Sequence, residues 1–412
     1  MKPRLPPIRP SRPEMDLLCA CASPAFAAKT ADFFRAGAAV DWPRFMELST
    51  NHHVLPLVQR ALKTLPEIVP AAWAGRLRAC RTTIAAYNLR AEATLRRLQE
   101  RLAAGGIPLV PIKGPALAWL AHGDVALRQF EDLDLIVRRG ELLRAVAGLE
   151  QEGFRLRELA AGVDRGRYLE TLQNWSFEKP GFPPLDLKPV LISHALCGPE
   201  SADFMEAACR RLPDAAAAGL RAPGPAAMLL AVCLDGANEM WVKLSAVADV
   251  GALLARHADV DWARFLDEAK RLGQRRSLLV GAGLAEDLLD APLPAAFRTG
   301  LADDPAARRL AAEVAARLRS EAPRQDIVFR QTVFALRTRE RLRDRWRFAR
   351  RLLFVPGAYE FTRWDWPRAL WPLVALARPF RLAWTVAFRG GRSIRLTVPA
   401  PDAKVASGGK ET

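Results

Sequence analysis

No apolar run in this 412-residue chain reaches the roughly 18 residues that a membrane-spanning helix needs. No charged-then-apolar leader opens it, so the cytoplasm is the expected location. Cysteines are few: Cys19, Cys21, Cys80, Cys197, Cys209 and Cys233. Cys19 and Cys21 stand one residue apart, and no second Cys or His pair follows at finger-like spacing, which argues against a structural zinc site. None of the six is placed beside a His as a catalytic thiol would be. The chain also lacks a Gly-rich Walker loop and a dinucleotide fingerprint, which removes P-loop kinases and Rossmann dehydrogenases from consideration. Acids are in deficit, 45 Asp and Glu against 61 Lys and Arg, for a net charge of +16. The deficit is uneven. From Arg324 to Thr412 there are 19 Lys and Arg against 7 Asp and Glu, so the basicity belongs mainly to the C-terminal part.

Half of the residues are hydrophobic, enough for a globular protein of two or three domains. Residues 1–14 are rich in Pro and basic side chains and read as a disordered basic arm. Residues 15–105 have a helical pattern. Its clearest segment carries Ile84, Tyr87, Ala91, Leu95, Leu98 and Leu102 at steps of three and four, stops at Gly105-Gly106, and is expected to brace a sheet. Residues 106–200 form a strand-containing core. Residues 201–322 are Ala- and Leu-rich and read as a helical bundle interrupted at Pro223 to Pro225. Residues 323–400 are rich in Arg and Trp, and 401–412 read as a disordered tail.

The core is organised around Leu109 to Val137, which reads as strand, Gly turn, helix, loop and second strand. The second strand presents Asp132 and Asp134. Side chains alternate along a strand, so acids at i and i+2 share a face. Two such charges about 4 Å apart repel by roughly 4 kcal/mol at an effective dielectric near 20. A cation between them, or a proton on one of them, is therefore required. Oxygen ligands on a rigid strand suit Mg²⁺ accompanied by substrate phosphates. Upstream, Lys113-Gly114-Pro115 opens a helix whose N-terminus suits a phosphate. Downstream, Gly140 to Gln151 reads as a short helix with Leu142, Leu143, Val146 and Leu149 on its apolar face. Phe154 to Leu156 reads as a return to the sheet. Trp175 to Leu191 reads as a hairpin turning at Pro180-Gly181, with Asp186 and Lys188 on one face of its second strand.

The run from Lys113-Gly114 through Arg128 to Asp132-Leu133-Asp134 resembles the uncharacterised nucleotidyltransferase family of the polymerase-beta-type nucleotidyltransferase superfamily. The resemblance implies an α+β fold: a small mixed β-sheet core with helices packed on it, flanked by N-terminal and C-terminal helical regions. It implies transfer of a nucleotidyl group from a nucleoside triphosphate to an acceptor, which could be a small molecule, a protein side chain or an RNA end. It implies Mg²⁺ or Mn²⁺ held by Asp132, Asp134 and Asp186, with Asp186 as the third acid that the superfamily places on a later strand. Lys113, Gly114, Arg128 and Lys188 would then attend the nucleotide phosphates.

The chain departs from the family pattern at three positions. Lys188 stands where a His is expected, and a lysine holds phosphate but does not do a histidine's acid and base work at neutral pH. Within LAVCLDGANEMWVKLSAVADVGALL, Trp241, Lys243 and Asp249 match a second family block, while Asp235 and Glu239 replace its histidines. As acids at i and i+4 on a helix, these two read as solvated surface. His52 and His53 read as packing or surface residues. The departures keep a second reading open, a catalytically weak nucleotidyltransferase-fold protein that acts through its basic C-terminal region on nucleic acid or an anionic membrane surface. A third is a nucleotide-dependent, toxin-like regulator that modifies another protein. In the C-terminal region RERLRDRWRFARRLL, with Trp346, Phe348 and Leu352, reads as a basic amphipathic helix. Trp364, Trp366, Trp371 and Trp384 follow it.

Overall fold

The computed structural model describes residues 12–157, 174–189, 191, 200–212, 219–320, 327–355 and 371–389. The expected tail, Trp364, Trp366 and nearly all of the expected arm lie outside these residues. Pro13 and Glu14, placed in the arm by composition, instead begin helix α1 (Pro13–Ala22). Pro13 suits a first turn because its missing N–H has no partner there in any case. Glu14 is buried, and its carboxylate accepts the Asp41 amide at 2.9 Å.

Helices α2 (Phe26–Arg35), α3 (Trp42–Asn51) and α4 (Leu55–Leu62) pack around α1. Asp41 caps α3 by accepting the Arg44 amide at 3.1 Å. Helix α5 (Ala71–Ala104) runs for 34 residues and ends where expected, with Gly106 at a φ of 74°. Its inner face is not purely apolar. Asn88 is fully buried, and its amide donates to the carbonyls of Val125 at 2.6 Å and Arg128 at 2.7 Å. The Tyr87 hydroxyl donates to the Glu131 carbonyl. Gln99 donates to the carbonyls of Leu109 at 2.9 Å and Arg221 at 2.7 Å. The helix thus braces the core as expected, and it does so partly by satisfying loop carbonyls that would otherwise be buried without donors.

Five strands form the sheet: β1 (Val110–Pro111), β2 (Leu133–Ile136), β3 (Arg155–Leu156), β4 (Trp175–Glu178) and β5 (Leu185–Lys188), in the order β1-β2-β5-β4-β3. Among the described residues only β2 and β5 run parallel, and the other pairs are antiparallel. This is the small mixed sheet of an α+β fold. Leu133, Leu135, Leu185, Leu187, Trp175 and Phe177 are all buried along it. Helices α6 (Gly114–His122) and α7 (Leu142–Gln151) follow β1 and β2. The inner face of α7 is Leu142, Ala145, Val146 and Leu149; Leu143, expected there, is 62% exposed. It lies 100° round the helix from Leu142, on the solvent side.

After α8 (Glu200–Ala207) the chain forms a two-stranded hairpin, β6 (Cys209–Arg211) and β7 (Arg221–Pro223), within what had read as helix. The bundle comprises α9 (Pro225–Asn238), α10 (Leu244–Arg256), α11 (Trp262–Arg271), α12 (Arg275–Leu289), α13 (Ala295–Asp303) and α14 (Pro305–Ser320). Trp241, at a φ of 53°, is fully buried among α9 and α12. A β-carbon at Gly236 or Gly281 would come within 2.8 Å of its ring, so glycine at both positions makes the socket.

The stretch RERLRDRWRFARRLL forms one helix from its fourth residue on, α16 (Leu342–Phe354), preceded by α15 (Ile327–Arg337) and followed by α17 (Trp371–Arg389). At the break between α15 and α16, Arg339 is buried with its guanidinium 4.1 Å from the Phe348 ring centroid. Arg337 forms a two-pronged pair with Glu313 at 2.6 and 2.7 Å. Part of the basicity is therefore consumed in packing.

Candidate functional site

Between the sheet and the bundle lies an open cavity of about 370 Å³, and Lys113, Gly114, Arg128, Asp132, Asp134, Asp186 and Lys188 all line it. The seven residues singled out in the sequence thus meet in one place. Asp134 and Asp186 are register partners on the parallel strands β2 and β5, so their side chains leave the sheet on the same face. Asp132 precedes β2 by one residue and shares that face. Ligand oxygens of all three carboxylates lie within 4.8 Å of one another.

Asp186 is held by its own hairpin. The Ser176 hydroxyl, across the β4–β5 pairing, donates to Asp186 Oδ1 at 2.6 Å, and Asn174 donates to Oδ2 at 3.0 Å. Asp134 is nearly sealed, with Lys188 on Oδ1 and Lys113 at 3.3 Å from Oδ2. Burial alone would raise the Asp134 pKa, but the two ammonium groups outweigh it and hold the carboxyl well below its ordinary range. Burial would likewise lower both lysines, and the carboxylates around them raise them instead. Asp132 goes the other way: burial, then repulsion from Asp134 and Asp186, pushes it up to about 6. The lysines answer the charge of Asp134, and the unmet demand for a cation falls on Asp132.

Gly114 opens α6 at a φ of 58°, a conformation that costs a residue with a β-carbon. It places the start of α6, the positive end of the helix, on the cavity wall. Arg128 reaches the cavity from the loop pinned by Asn88. Its Nε donates to Asp249 Oδ2 at 2.9 Å, and the other oxygen of Asp249 meets His122 Nε2 at 2.9 Å. Burial would raise Asp249, but Arg128 and His122 outweigh it and lower its pKa. Four buried polar atoms on residues lining the cavity have no hydrogen-bond partner among the described residues: Arg128 Nη1, Gln129 Oε1, Asn174 Oδ1 and Trp241 Nε1. Buried polar atoms are seldom left in this way, and such a group suits a polar ligand.

The opposite wall corrects one expectation. Asp235 and Glu239 are not ordinary solvated surface, because both line the cavity. Asp235 pairs with Lys113 at 2.6 Å, so one lysine bridges the sheet and the bundle. Glu239 is reached by solvent but crowded by protein, and that burial, then the Asp235 carboxylate, raises its pKa. The i, i+4 spacing alone did not show this; the adjoining apolar run LAVCL, which Asp235 follows, was the available signal. His52 has the packing role expected of it: its Nδ1 accepts the Leu244 amide at 3.2 Å at the start of α10. His53 instead lines the cavity, 3.7 Å from Glu131. Sequence reasoning missed His122, Asn174 and Ser176 altogether.

An all-oxygen set of three carboxylates with a residual demand for positive charge fits a hard divalent cation such as Mg²⁺ or Mn²⁺. Placed beside the Gly114 end of α6 and a partly unsatisfied guanidinium, it also fits a phosphorylated ligand. Residues 38–290 match a protein family described as uncharacterised nucleotidyltransferase. A comparison with curated proteins finds no match.

Proposed function

This chain belongs to the uncharacterised nucleotidyltransferase family, and from that premise we propose that it transfers a nucleotidyl group from a nucleoside triphosphate to an acceptor nucleophile, with a divalent metal ion. The observation that carries this reading is the register of Asp134 against Asp186, which gathers three carboxylates on one face of the sheet beside the Gly114 turn. Asp132, Asp134 and Asp186 would hold the metal ion. When bound, the ion neutralises and orients the triphosphate and acidifies the attacking hydroxyl.

The rest falls to the chain's own side chains. Gly114, on the cavity wall at the start of α6, lets a phosphate oxygen approach the backbone closely. Lys113 and Lys188 offset charge on the triphosphate and the departing pyrophosphate while keeping Asp134 ionised. Arg128, fixed through Nε, offers its unpartnered Nη1 to a phosphate oxygen. Ser176 and Asn174 keep both oxygens of Asp186 aimed.

Pyrophosphate release from each of the four common ribonucleoside triphosphates, with Mg²⁺ or Mn²⁺ and a panel of small-molecule, protein and RNA acceptors, tests the proposal. Release that the Asp132→Ala/Asp134→Ala protein loses supports it. One observation favours a second reading, a nucleotide-binding protein without turnover: lysines engage both oxygens of Asp134. Metal-dependent nucleotide binding with no pyrophosphate from any acceptor would select that reading.

A further inference from the structure

We propose that Asp235 is a positioning residue for the metal site: it holds the Lys113 ammonium group away from Asp134 and so keeps Asp134 Oδ2 available to a divalent ion. This rests on the metal-dependent reading of the cavity and adds to it a residue that sets occupancy. Lys113 stands between two carboxylates from different parts of the fold. Its Nζ lies 3.3 Å from Asp134 Oδ2 on β2 and 2.6 Å from Asp235 Oδ2 on α9. The other oxygen of Asp134 accepts a hydrogen bond from Lys188. Both oxygens of a proposed ligand therefore face ammonium groups, and Lys113 competes directly with any cation at Oδ2.

The two lysines differ in what they can fall back on. Among the described residues Lys188 has its ion pair with Asp134, whereas Lys113 has a second partner, and the contact with that partner is the shorter one. Lys113 can thus release Oδ2 and stay paired. A compact charge on a flexible four-carbon stem suits such an exchange between two carboxylates. Asp235 is placed to receive the lysine rather than to ligate the ion. The oxygens of Asp132, Asp134 and Asp186 gather within 4.8 Å of one another, and Asp235 is not in that group. It lines the cavity from the bundle side, and Glu239, four residues on, adds to its attraction for Lys113. The Asp235 side chain is 28% exposed against 6% for Asp134. Asp235 therefore takes up or gives up a lysine at a small desolvation cost, which the sealed Asp134 does not.

The test is calorimetric titration of Mn²⁺, without nucleotide, into the full chain as wild type, Asp235→Asn, Lys113→Met and the double variant, each checked for folding by circular dichroism. Asp235→Asn should bind Mn²⁺ about tenfold more weakly than wild type, because Lys113 then falls back on Asp134. Lys113→Met should bind at least as tightly as wild type. Adding Asp235→Asn to Lys113→Met should change the affinity by less than about twofold, since the lysine through which Asp235 acts is gone. Asp235→Ser should repeat this pattern and replaces Asp235→Asn if that protein does not fold. Equal affinity in wild type and Asp235→Asn overturns the proposal, as does weaker binding by Lys113→Met than by wild type. So does a loss from Asp235→Asn that is the same size with and without Lys113, which would reduce Asp235 to a general negative field. A folded wild-type chain that binds no Mn²⁺ removes the metal site itself, and the proposal with it.

Discussion

Replacing Asp249 with Asn should destabilise the fold strongly. The carboxylate is 1% exposed, and each oxygen serves one cation-forming group, His122 on Oδ1 and Arg128 on Oδ2. Arg128 already has one buried guanidinium nitrogen without a partner. Removing the charge strands it further, and breaking one partner of a buried pair costs about 3–5 kcal/mol. The midpoint of urea unfolding, read by circular dichroism at neutral pH, should fall accordingly with little change in slope. Arg128→Met removes the stranded cation, so the double variant should recover about 1–3 kcal/mol of the summed losses. The effect has a defined pH window. Asp249 is depressed in the folded state, so its contribution is full above the unfolded carboxyl value of about 3.9 and fades as pH falls below it. The gap between wild type and Asp249→Asn should therefore narrow on acidification below about pH 4. A loss under about 1 kcal/mol at neutral pH, or strictly additive effects in the double variant, would refute the buried network as drawn.

Asn88→Leu should cost about 2–3 kcal/mol in the same assay, because it leaves the Val125 and Arg128 carbonyls without their buried donor. Gly236→Ala should lower stability by about 1–3 kcal/mol, since its β-carbon would sit 2.7 Å from the buried Trp241 ring; Trp241→Leu in the same background should relieve part of the loss. Ser176→Ala should weaken Mn²⁺ binding about 10–100-fold by calorimetry while leaving the melting curve close to wild type, because it removes one of the two donors that aim Asp186 and little else. Leu143→Glu, on the solvent face of α7, should change stability by no more than about 0.5 kcal/mol.

What the sequence disclosed about the site was local in origin. Asp132 and Asp134 announce a shared face through a two-residue period, Gly114 announces a turn, and Pro180-Gly181 announces the hairpin that brings Asp186 round to Asp134. The long amphipathic helix and its Gly105-Gly106 stop were equally plain. What stayed hidden depends on packing between distant segments. His122 meets Asp249 across 127 positions, and no spacing rule connects them. Asp235 and Glu239 have the spacing of a wet helix face and are cavity wall because α9 faces the sheet across the cavity, where Asp235 meets Lys113. The three-residue strands β6 and β7 are too short to show a period in an Ala-rich stretch. Arg339 gave no sign of burial, because its partner Phe348 lies in the next helix.

Calorimetric titration of a non-hydrolysable nucleoside triphosphate, with and without Mn²⁺, into wild-type chain and into Asp132→Ala/Asp134→Ala tests the central claim most directly. The account predicts binding by wild type that requires the metal and disappears in the double variant, with both proteins folded by circular dichroism. Nucleotide binding that survives the loss of both acids, or a folded wild-type chain that binds neither metal nor nucleotide, would contradict it.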